Sequence, residues 1–410
     1  MVLVTAMTAP LSGIRVLEVA NWLAAPAAGA LLADLGADVI KVEPPGGDVF
    51  REFLLRSMGY THDFASNYAF QLDNRGKRSI TVALDQPGGP ELVRRLAARS
   101  DIFLTNLIQQ RRLRYGLSWE DVRNASPRVV YASFSGYGTR GPDENRPGFD
   151  YAAFWARSGL MGLLGEPPSP PPLCRGGQGD HTTALNILAA VLAALRLRDQ
   201  TNEAQHVEVT LQGTGMWTLG SDLQAALIAR EQPARHVRTQ PANPIWNSYQ
   251  AGCGSWLLLV MPQPDPVYWP RFCEMIGSPE WATDPRYRTL HDRRRHTVEL
   301  TRAIEARFAA HDLAHWAAQL DQYGLIWAPV AKLTDVIDDP QAREMGWFTT
   351  LEHPTLGRFE TLDTPFKLYG ADVGARGPAP EAGAHTFDVL AELGVSEEEL
   401  TRLALDGVIG

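Results

Sequence analysis

The sequence predicts an α/β fold, in which a large domain with a Rossmann-like open parallel sheet is joined to a smaller α/β domain. The chain has 410 residues, more than a single hydrophobic core usually organises, so two domains are expected. Residues 1–150 alternate between short β-rich runs and helical patterns, which is typical of βαβ units with right-handed crossovers. Residues 231–244 mix charge, proline and polar side chains and therefore predict a linker.

The strands of the large domain are predicted where β-branched and apolar residues cluster in short runs: residues 14–19, 38–42, 79–84, 102–105, 128–133 and 207–210. Helical spacing of apolar residues predicts helices at residues 24–35, 90–98, 119–123, 150–160, 180–198 and 211–229. The helix at 180–198 is apolar on nearly every side, which predicts that it is buried.

The domain boundaries follow from these patterns. The large domain is predicted to span residues 1–230 and to be completed by residues 326–410, whereas residues 231–325 form the linker and the small domain. Strands near 246–249 and 256–260 precede small-domain helices at 268–275, 297–310 and 313–320. Short extended pieces are expected around residues 354–357.

Composition excludes several classes of protein. A formal net charge of -9 argues against a broad surface for nucleic acid or anionic membrane. The three cysteines have no short paired spacing, which fits neither a disulfide framework nor a zinc site and favours a reducing compartment. The apolar run at 184–195 is too short to span a membrane, and residues 1–10 do not resemble a secretory signal. We therefore expect a cytoplasmic protein with no nucleic-acid or membrane partner.

The glycine-rich run from Arg175 to Asp180 precedes the long apolar helix. Aspartate is a preferred helix N-cap, and the spacing alone favours this structural role for Asp180. Backbone donors at a cap would also keep the carboxylate ionised, and three glycines would let a substrate approach closely. A carboxylate so placed can attack an acyl carbonyl and form a mixed anhydride. Both roles are compatible.

Two familiar site motifs are missing from the sequence. No Gly-x-Gly-x-x-Gly follows the first strand, which argues against a dinucleotide cofactor. Glu43 stands at the end of the second strand, where Rossmann proteins hold a ribose, but acids at strand ends are common. No Gly-x-Ser-x-Gly elbow occurs either, so a hydrolase finds no support.

Two further clusters of charged or metal-ligating residue types have an ordinary structural explanation. Arg75, Lys77 and Arg78 form a basic turn that is expected to face solvent, with a phosphate anchor as the alternative. His311 and His315 have the i, i+4 spacing of metal ligands, but no third ligand is evident. We expect no metal site.

Several segments of the sequence form a recognisable set: LSGIRVLE from residue 11, ADLGADVIKVE from residue 33, NRGKRSI from residue 74, SFSGYG from residue 133, and the Gly-Asp pair at 179–180. Together they resemble one family, the class III coenzyme A transferases. Residues 328–330, 339–340 and 354–357 also look like this family. The resemblance covers nearly the whole chain. The family includes formyl-CoA, carnitine-CoA and aryl-acid CoA transferases as well as α-methylacyl-CoA racemases.

The resemblance implies an activity and a site. Asp180 would be the catalytic carboxylate, passing through an acyl-aspartyl anhydride and an aspartyl-CoA thioester while CoA moves from an acyl-CoA donor to a carboxylic acid. Coenzyme A would be a co-substrate, and no metal would be needed. The implied fold is an interlocked homodimer with the active site between subunits. Carried over by position, the CoA contacts would be Leu23, Ala24, Pro44, Val82, Ala83, Leu84, Asn106, Leu107, Arg114, Ser135 and Tyr137.

The chain departs from the family pattern at three places. Racemases carry a histidine where this chain has Phe149, so a two-base racemase mechanism loses a partner. Residues 106–110 read Asn-Leu-Ile-Gln-Gln instead of the usual Asn-Phe-Arg-Pro-Gly. The glycine-rich loop of formyl-CoA transferases is absent between Pro244 and Trp256. The aromatic segment 149–155 suggests a larger apolar or aromatic acyl group. A racemase and a non-catalytic CoA-binding relative remain the alternatives.

Overall fold

The computed structural model describes residues 7–53, 59–62, 64–261 and 266–410. The chain forms two compact units. The larger comprises Met1–Gly162, Leu173–Glu231 and Arg343–Gly410, and the smaller comprises Leu163–Pro172 and Gln232–Ala342. The predicted return to the large domain at residue 326 differs from this division. Residues 327–329 add a strand to the sheet of the smaller unit, so the chain returns only at Arg343.

Six parallel strands form the central sheet of the larger unit, in the order β3-β2-β1-β4-β5-β6. This confirms the predicted open parallel sheet. The strand order reverses between β1 and β4, and open α/β sheets bind ligands at such a point, outside the carboxyl ends of the strands. The strands are β1 Arg15–Val19, β2 Asp38–Glu43, β3 Arg78–Thr81, β4 Ile102–Thr105, β5 Val130–Ser135 and β6 Gln205–Thr210.

Helices cover both faces of this sheet because side chains alternate along each buried strand. Val16 of β1 belongs to a core shared with the first and seventh helices, whereas Leu17 belongs to the core on the opposite face. The helices are α1 Ala24–Asp34, α2 Tyr68–Asn74, α3 Gly89–Ala97, α4 Gln109–Tyr115, α5 Trp119–Ala125, α6 Leu160–Leu163, α7 Gln178–Thr201, α8 Leu211–Thr218 and α9 Gly220–Ala229.

The long helix α7 corrects one prediction. One side packs into the core through residues such as Ile187 and Val191. The other side is exposed within this chain, since Leu185, Leu192 and Leu197 are 42%, 37% and 45% exposed. The expectation of full burial is therefore wrong for the chain alone. The helix predicted at 211–229 is also two helices, α8 and α9.

The smaller unit has its own antiparallel sheet and core. Strands β7 Trp246–Gln250, β8 Trp256–Val260 and β9 Trp327–Pro329 pair in sequence order. Their inner face packs on a core that includes Phe272, Ile304 and Leu320. The helices are α10 Tyr268–Met275, α11 Leu290–Arg295, α12 Thr297–Phe308, α13 Leu313–Gln322 and α14 Leu333–Ile337.

The C-terminal segment completes the larger unit. After helix α15 Pro340–Glu344, a hairpin pairs β10 Phe348–His353 with β11 Gly357–Leu362. Helices α16 Thr386–Glu392 and α17 Glu397–Leu405 then join the core beside β3, and Ile409 pairs with Val82. Throughout the described residues, no helix is both long and apolar enough to cross a membrane.

Candidate active site

The start of helix α7 places Asp180 differently from the prediction. Gly177 is the N-cap, with a φ of 86°, and the helix begins at Gln178. Asp180 is the third helical residue, and no side chain caps this end. The expectation that Asp180 is the N-cap is wrong, because only glycine adopts this left-handed turn without strain.

The glycines before Asp180 have a packing role that the sequence did not indicate. A π-helix at Tyr151–Ala156 lies against them. A Cβ at Gly176 would lie 2.7 Å from the Tyr151 hydroxyl, and one at Gly179 would lie 2.6 Å from the Phe154 ring. Two of the three glycines therefore leave space for the rings of Tyr151 and Phe154, a packing role that stands beside the predicted approach of a substrate.

The carboxyl group of Asp180 is electrostatically unusual. It is partly exposed, and across the described ranges it accepts no hydrogen bond. Burial is the main cause that raises its pKa to about 7, and the carboxylates of Asp150 and Asp73 add to it against the opposing effect of His181. The expected stabilisation of the anion by cap donors is therefore wrong. The site makes the charged form costly, which favours reactions that convert it to a neutral acyl derivative.

Asp150 is a site residue that the sequence analysis did not single out. Its side chain is buried, and its Oδ2 accepts a hydrogen bond of 2.8 Å from the backbone N–H of Gly177. Burial raises the pKa of Asp150 despite this hydrogen bond. Asp150 thus holds the turn that orients Asp180 and is a second negative group beside it. The sequence drew attention only to its neighbour Phe149, which stands where racemases carry a histidine.

His181 follows Asp180 on the helix and pairs with a buried carboxylate. Its Nε2 lies 2.9 Å from Oδ1 of Asp73, which α2 places there. Asp73 is 1% exposed, whereas the His181 side chain is 45% exposed. Burial lowers the pKa of His181, but Asp73 and then Asp180 and Asp150 outweigh it and raise that pKa to about 9. The ring is therefore an imidazolium at neutral pH.

The basic turn at residues 75–78 is not the solvated loop that was predicted. Arg75 and Lys77 are 3% and 4% exposed. Arg75 pairs with Asp34 at 2.6 Å, Lys77 pairs with Glu18 at 2.8 Å, and Arg78 pairs with Asp38 at 2.7 Å. These cations bind carboxylates of their own chain, so the turn is not a phosphate anchor either.

The carboxyl ends of β1 to β4 surround a cavity of about 270 Å³ at the point where the strand order reverses. Of the predicted CoA contacts, Pro44, Val82, Ala83, Leu84 and Leu107 line it together with Arg111 and Tyr115. Arg114 lines a neighbouring cavity that shares Leu84, Asp85 and Tyr115 with the first. Glu43 also borders the first cavity, but its carboxylate is held by Arg51 and Ser79.

The other predicted contact residues lie outside this cavity. The Asn106 side chain exchanges two hydrogen bonds with the backbone of Asn21, fixing the loop after β1. Ser135 accepts a hydrogen bond from the N–H of Gly138 and so caps the turn that contains Tyr137. Leu23 and Ala24 start α1, and the Leu23 side chain borders Gly177. These residues therefore shape the loops around the sheet edge and the start of α7.

Aromatic side chains gather beside the same turn. The Trp22 ring packs edge-on against Phe149, with centroids 5.2 Å apart, and also contacts Phe50 and Phe53. Trp22 has a φ of 70°, a left-handed conformation that is rare for a bulky residue. Trp22 and Phe149 remain 36% and 55% exposed. They form an open apolar wall near Gly177, and the sequence had marked only the 149–155 part of it.

The predicted histidine pair of the smaller unit forms a stack. The rings of His311 and His315 have centroids 4.1 Å apart. Within the ranges that the structure describes, no cluster of three or more His, Cys, Asp or Glu side chains could hold a metal ion.

The parallel sheet has a cavity at its switch point, and the first turn of α7 carries a partly exposed carboxyl group with a raised pKa, features that are suited to group-transfer chemistry. The sequence model of CoA-transferase family III matches residues 11–386. The chain belongs to this family and is an acyl-CoA:carboxylate CoA-transferase.

Individual relatives agree with this assignment over nearly their full length. The (R)-2-hydroxy-4-methylpentanoate CoA-transferase of Clostridioides difficile is 29% identical over 95% of this chain and 97% of that protein. The cinnamoyl-CoA:phenyllactate CoA-transferase of Clostridium sporogenes is 30% identical over 96% of each chain. The crystal structure of a CAIB/BAIF family protein from Brucella suis superposes with a TM-score of 0.82, at 30% identity, over 94% of this chain and 100% of that one.

Proposed function

We propose that Asp180 carries the transferred groups covalently. Its carboxylate attacks the thioester carbonyl of the donor, the C–S bond breaks, and the products are an acyl-aspartyl anhydride and CoA thiolate. The thiolate attacks the aspartyl carbonyl of the anhydride, giving an aspartyl-CoA thioester and the free donor acid. The acceptor carboxylate then attacks the aspartyl carbonyl of this thioester and releases the thiolate, which leaves an anhydride between the acceptor and Asp180. The thiolate attacks the acceptor's carbonyl in that anhydride, and the bond to the Asp180 oxygen breaks, which gives the new acyl-CoA and the free Asp180 carboxylate.

The observation that carries this proposal is the placement of Asp180 in the first turn of α7, where its side chain is partly exposed and where burial raises its pKa to about 7. Both covalent intermediates are neutral at Asp180, so their formation removes a charge that burial, Asp150 and Asp73 disfavour. A more basic carboxylate is also a stronger nucleophile than an ordinary one. Its partial exposure leaves it open to attack a thioester.

The cavity at the ends of β1 to β4 supports a place for CoA. It lies at the switch point where open α/β sheets bind nucleotides. Arg111 and, in the adjoining cavity, Arg114 are suited to phosphate groups. Asn21 lines the first cavity, and two residues further along the chain the Leu23 side chain borders Gly177, which supports a thiol end that extends toward Asp180. The contacts of Ala24, Asn106, Ser135 and Tyr137 would then be largely through backbone atoms.

Intact-mass analysis tests the covalent route. Incubation of the protein with an acyl-CoA and no acceptor is expected to give an acyl-sized or CoA-sized mass increase that maps to Asp180. Asp180→Asn is the control and should give no adduct. Turnover without any adduct, or solvent deuterium entering the α-carbon of the acyl group without an acceptor, would instead support a racemase.

We also propose that the acyl group is aromatic or branched and apolar. The Trp22 and Phe149 wall beside the active turn supports this, and the names of the two clostridial relatives contain such acids. Cinnamoyl-CoA is expected to exceed formyl-CoA in kcat/KM by at least about 10-fold, and Trp22→Ala should remove most of that preference. Trp246→Ala, at an exposed site of the smaller unit, is the matched control. Preference for formyl-CoA would refute this assignment.

The second copy in a homodimer is proposed to cover α7 to α9. Apolar side chains on these helices are exposed in the single chain, among them Trp217 and Ile228 at 81% and 79%. Monomeric proteins rarely leave contiguous apolar patches of this kind in water. The interlocked dimer that the family resemblance implies would bury them, and a reducing cytoplasm suits three cysteines that have no short paired spacing in the sequence.

A further inference from the structure

The ring of His181 presents an unused donor beside Asp180. Its Nε2 is bonded to Asp73, whereas its Nδ1 has no hydrogen-bond partner in the described part of the chain. Nearly half of the His181 side chain is exposed. A charged N–H therefore remains open next to the group that is proposed to be acylated.

Asp73 keeps this ring in its charged state. The second carboxylate oxygen of Asp73 is buried and finds no hydrogen-bond donor among the residues that the structure describes. Lys77 is near, but its ammonium group binds Glu18, the side chain of Asn74 and the main-chain oxygens of Pro26 and Asp73. The imidazolium of His181 is thus the direct partner of a buried carboxylate, which would be costly to leave alone.

The proposed transfer needs a fixed cation at this place. One negative charge passes in turn from Asp180 to the thiolate, to the departing acid, and back through the arriving acid. No step requires a proton. An arriving carboxylate must also enter a site that already contains the carboxyl groups of Asp150 and Asp73. A donor that stays protonated would offset this repulsion, and Arg75 and Lys77 are committed elsewhere.

We propose that His181, positioned by Asp73, binds the carboxylate of the departing and arriving acid through Nδ1–H. This inference rests on the proposed function of Asp180 and assigns the acid its binding group. The ligand class is a monocarboxylate whose charge meets the imidazolium while its carboxyl oxygen faces the aspartyl thioester. Asp73 acts through the ring and is a positioning residue.

The test separates acid binding from acylation. In His181→Asn, loss of the imidazolium should raise the pKa of Asp180 further, so acylation is compared at pH 8.5. The Asp180 adduct from acyl-CoA should still form there, which also shows that the variant is folded. Loss of a charged hydrogen bond should raise KM for the acceptor acid by about 10- to 100-fold. Hydroxylamine, a neutral acceptor, should capture the thioester equally well in both proteins. His181→Lys should restore part of the affinity, and His291→Asn, at an exposed site in α11, is the control.

The pH dependence of KM for the acceptor acid is a second test, because a purely structural role of His181 would not change it. The groups that face His181 are Asp73 on α2, Asp150 before the π-helix, and Asp180 on its own helix. In the parent, KM for the acid should rise above pH 9 as the ring loses its proton, and Asp73→Asn should bring that rise to lower pH. Unchanged KM in His181→Asn, or equal losses with hydroxylamine and acid, would overturn the inference. Absence of any adduct in the parent would instead overturn the role of Asp180.

Discussion

Asp180→Asn is expected to lower kcat by about 10⁴-fold or more and at the same time to make the protein more stable at pH 8. The amide cannot form an anhydride, so only non-covalent acceleration would remain. In the parent, the rate of acylation should rise with pH up to about 7, because the pKa of Asp180 is raised to about 7 and only the anion attacks. Steady-state and single-turnover assays measure both effects.

The gain in stability follows from the direction of the same pKa shift. An aspartate in the unfolded chain titrates near about 3.9, whereas the folded chain holds the Asp180 proton until about pH 7. The parent therefore loses stability as the pH rises through this window. We expect the variant to gain about 2 kcal/mol at pH 8 and much less at pH 5, allowing for partial exposure. Calorimetric melting at the two pH values measures the difference.

Asp388 offers a matched control for this prediction. It is also the third residue of its helix, α16, but its side chain is exposed. Asp388→Asn should leave kcat unchanged and should not stabilise the protein at either pH, because an acid in the first turn of a helix is mildly favourable. Turnover of Asp180→Asn at the parent rate would rule out covalent transfer through this residue.

The parallel sheet could be predicted because its signal is local. Buried parallel strands are continuous apolar runs, and β4 was predicted with its observed bounds at 102–105. The seven-residue helices α2 and α4 escaped prediction, because so short a helix gives little periodicity. Helix α5 is equally short but was predicted, and it begins with a capping box at Ser118. The exposed side of α7 could not be anticipated either, since apolar residues all round a helix predict burial on every side, whereas Leu185, Leu192 and Leu197 are exposed in this chain.

The electrostatics of the site could not be read from spacing. Asp180 was found through its motif, but its pKa depends on Asp150 and Asp73, which are distant in sequence. The pairing of His181 with Asp73 joins residues 108 positions apart. The basic turn was misjudged for the same reason: a charge run usually faces water, unless acids from other elements meet it in the core. Only the fold brings these partners together.

Among the buried acids that pair with the basic turn, Glu18 is the one whose replacement is expected to lower the free energy of unfolding most. It is fully buried at the end of β1, and its two oxygens pair with Lys41 at 3.1 Å and Lys77 at 2.8 Å. In Glu18→Gln, Lys41 keeps Asp48 at 2.9 Å, but Lys77 is left with neutral acceptors. Removing one partner of a buried ion pair costs about 3–5 kcal/mol. Urea unfolding should show a lower midpoint at an unchanged slope.

The pH dependence of this loss identifies its cause. Burial, partly offset by Glu18, lowers the pKa of Lys77 to about 8, so the parent already loses stability as the pH falls from about 10.4 through 8. Without Glu18 this pKa should fall further, and the variant should recover part of its deficit at pH 9.5. Glu91→Gln breaks an exposed pair with Arg94 and should cost less than about 0.5 kcal/mol at any pH. An equally small cost in Glu18→Gln would mean that water or rearrangement satisfies Lys77.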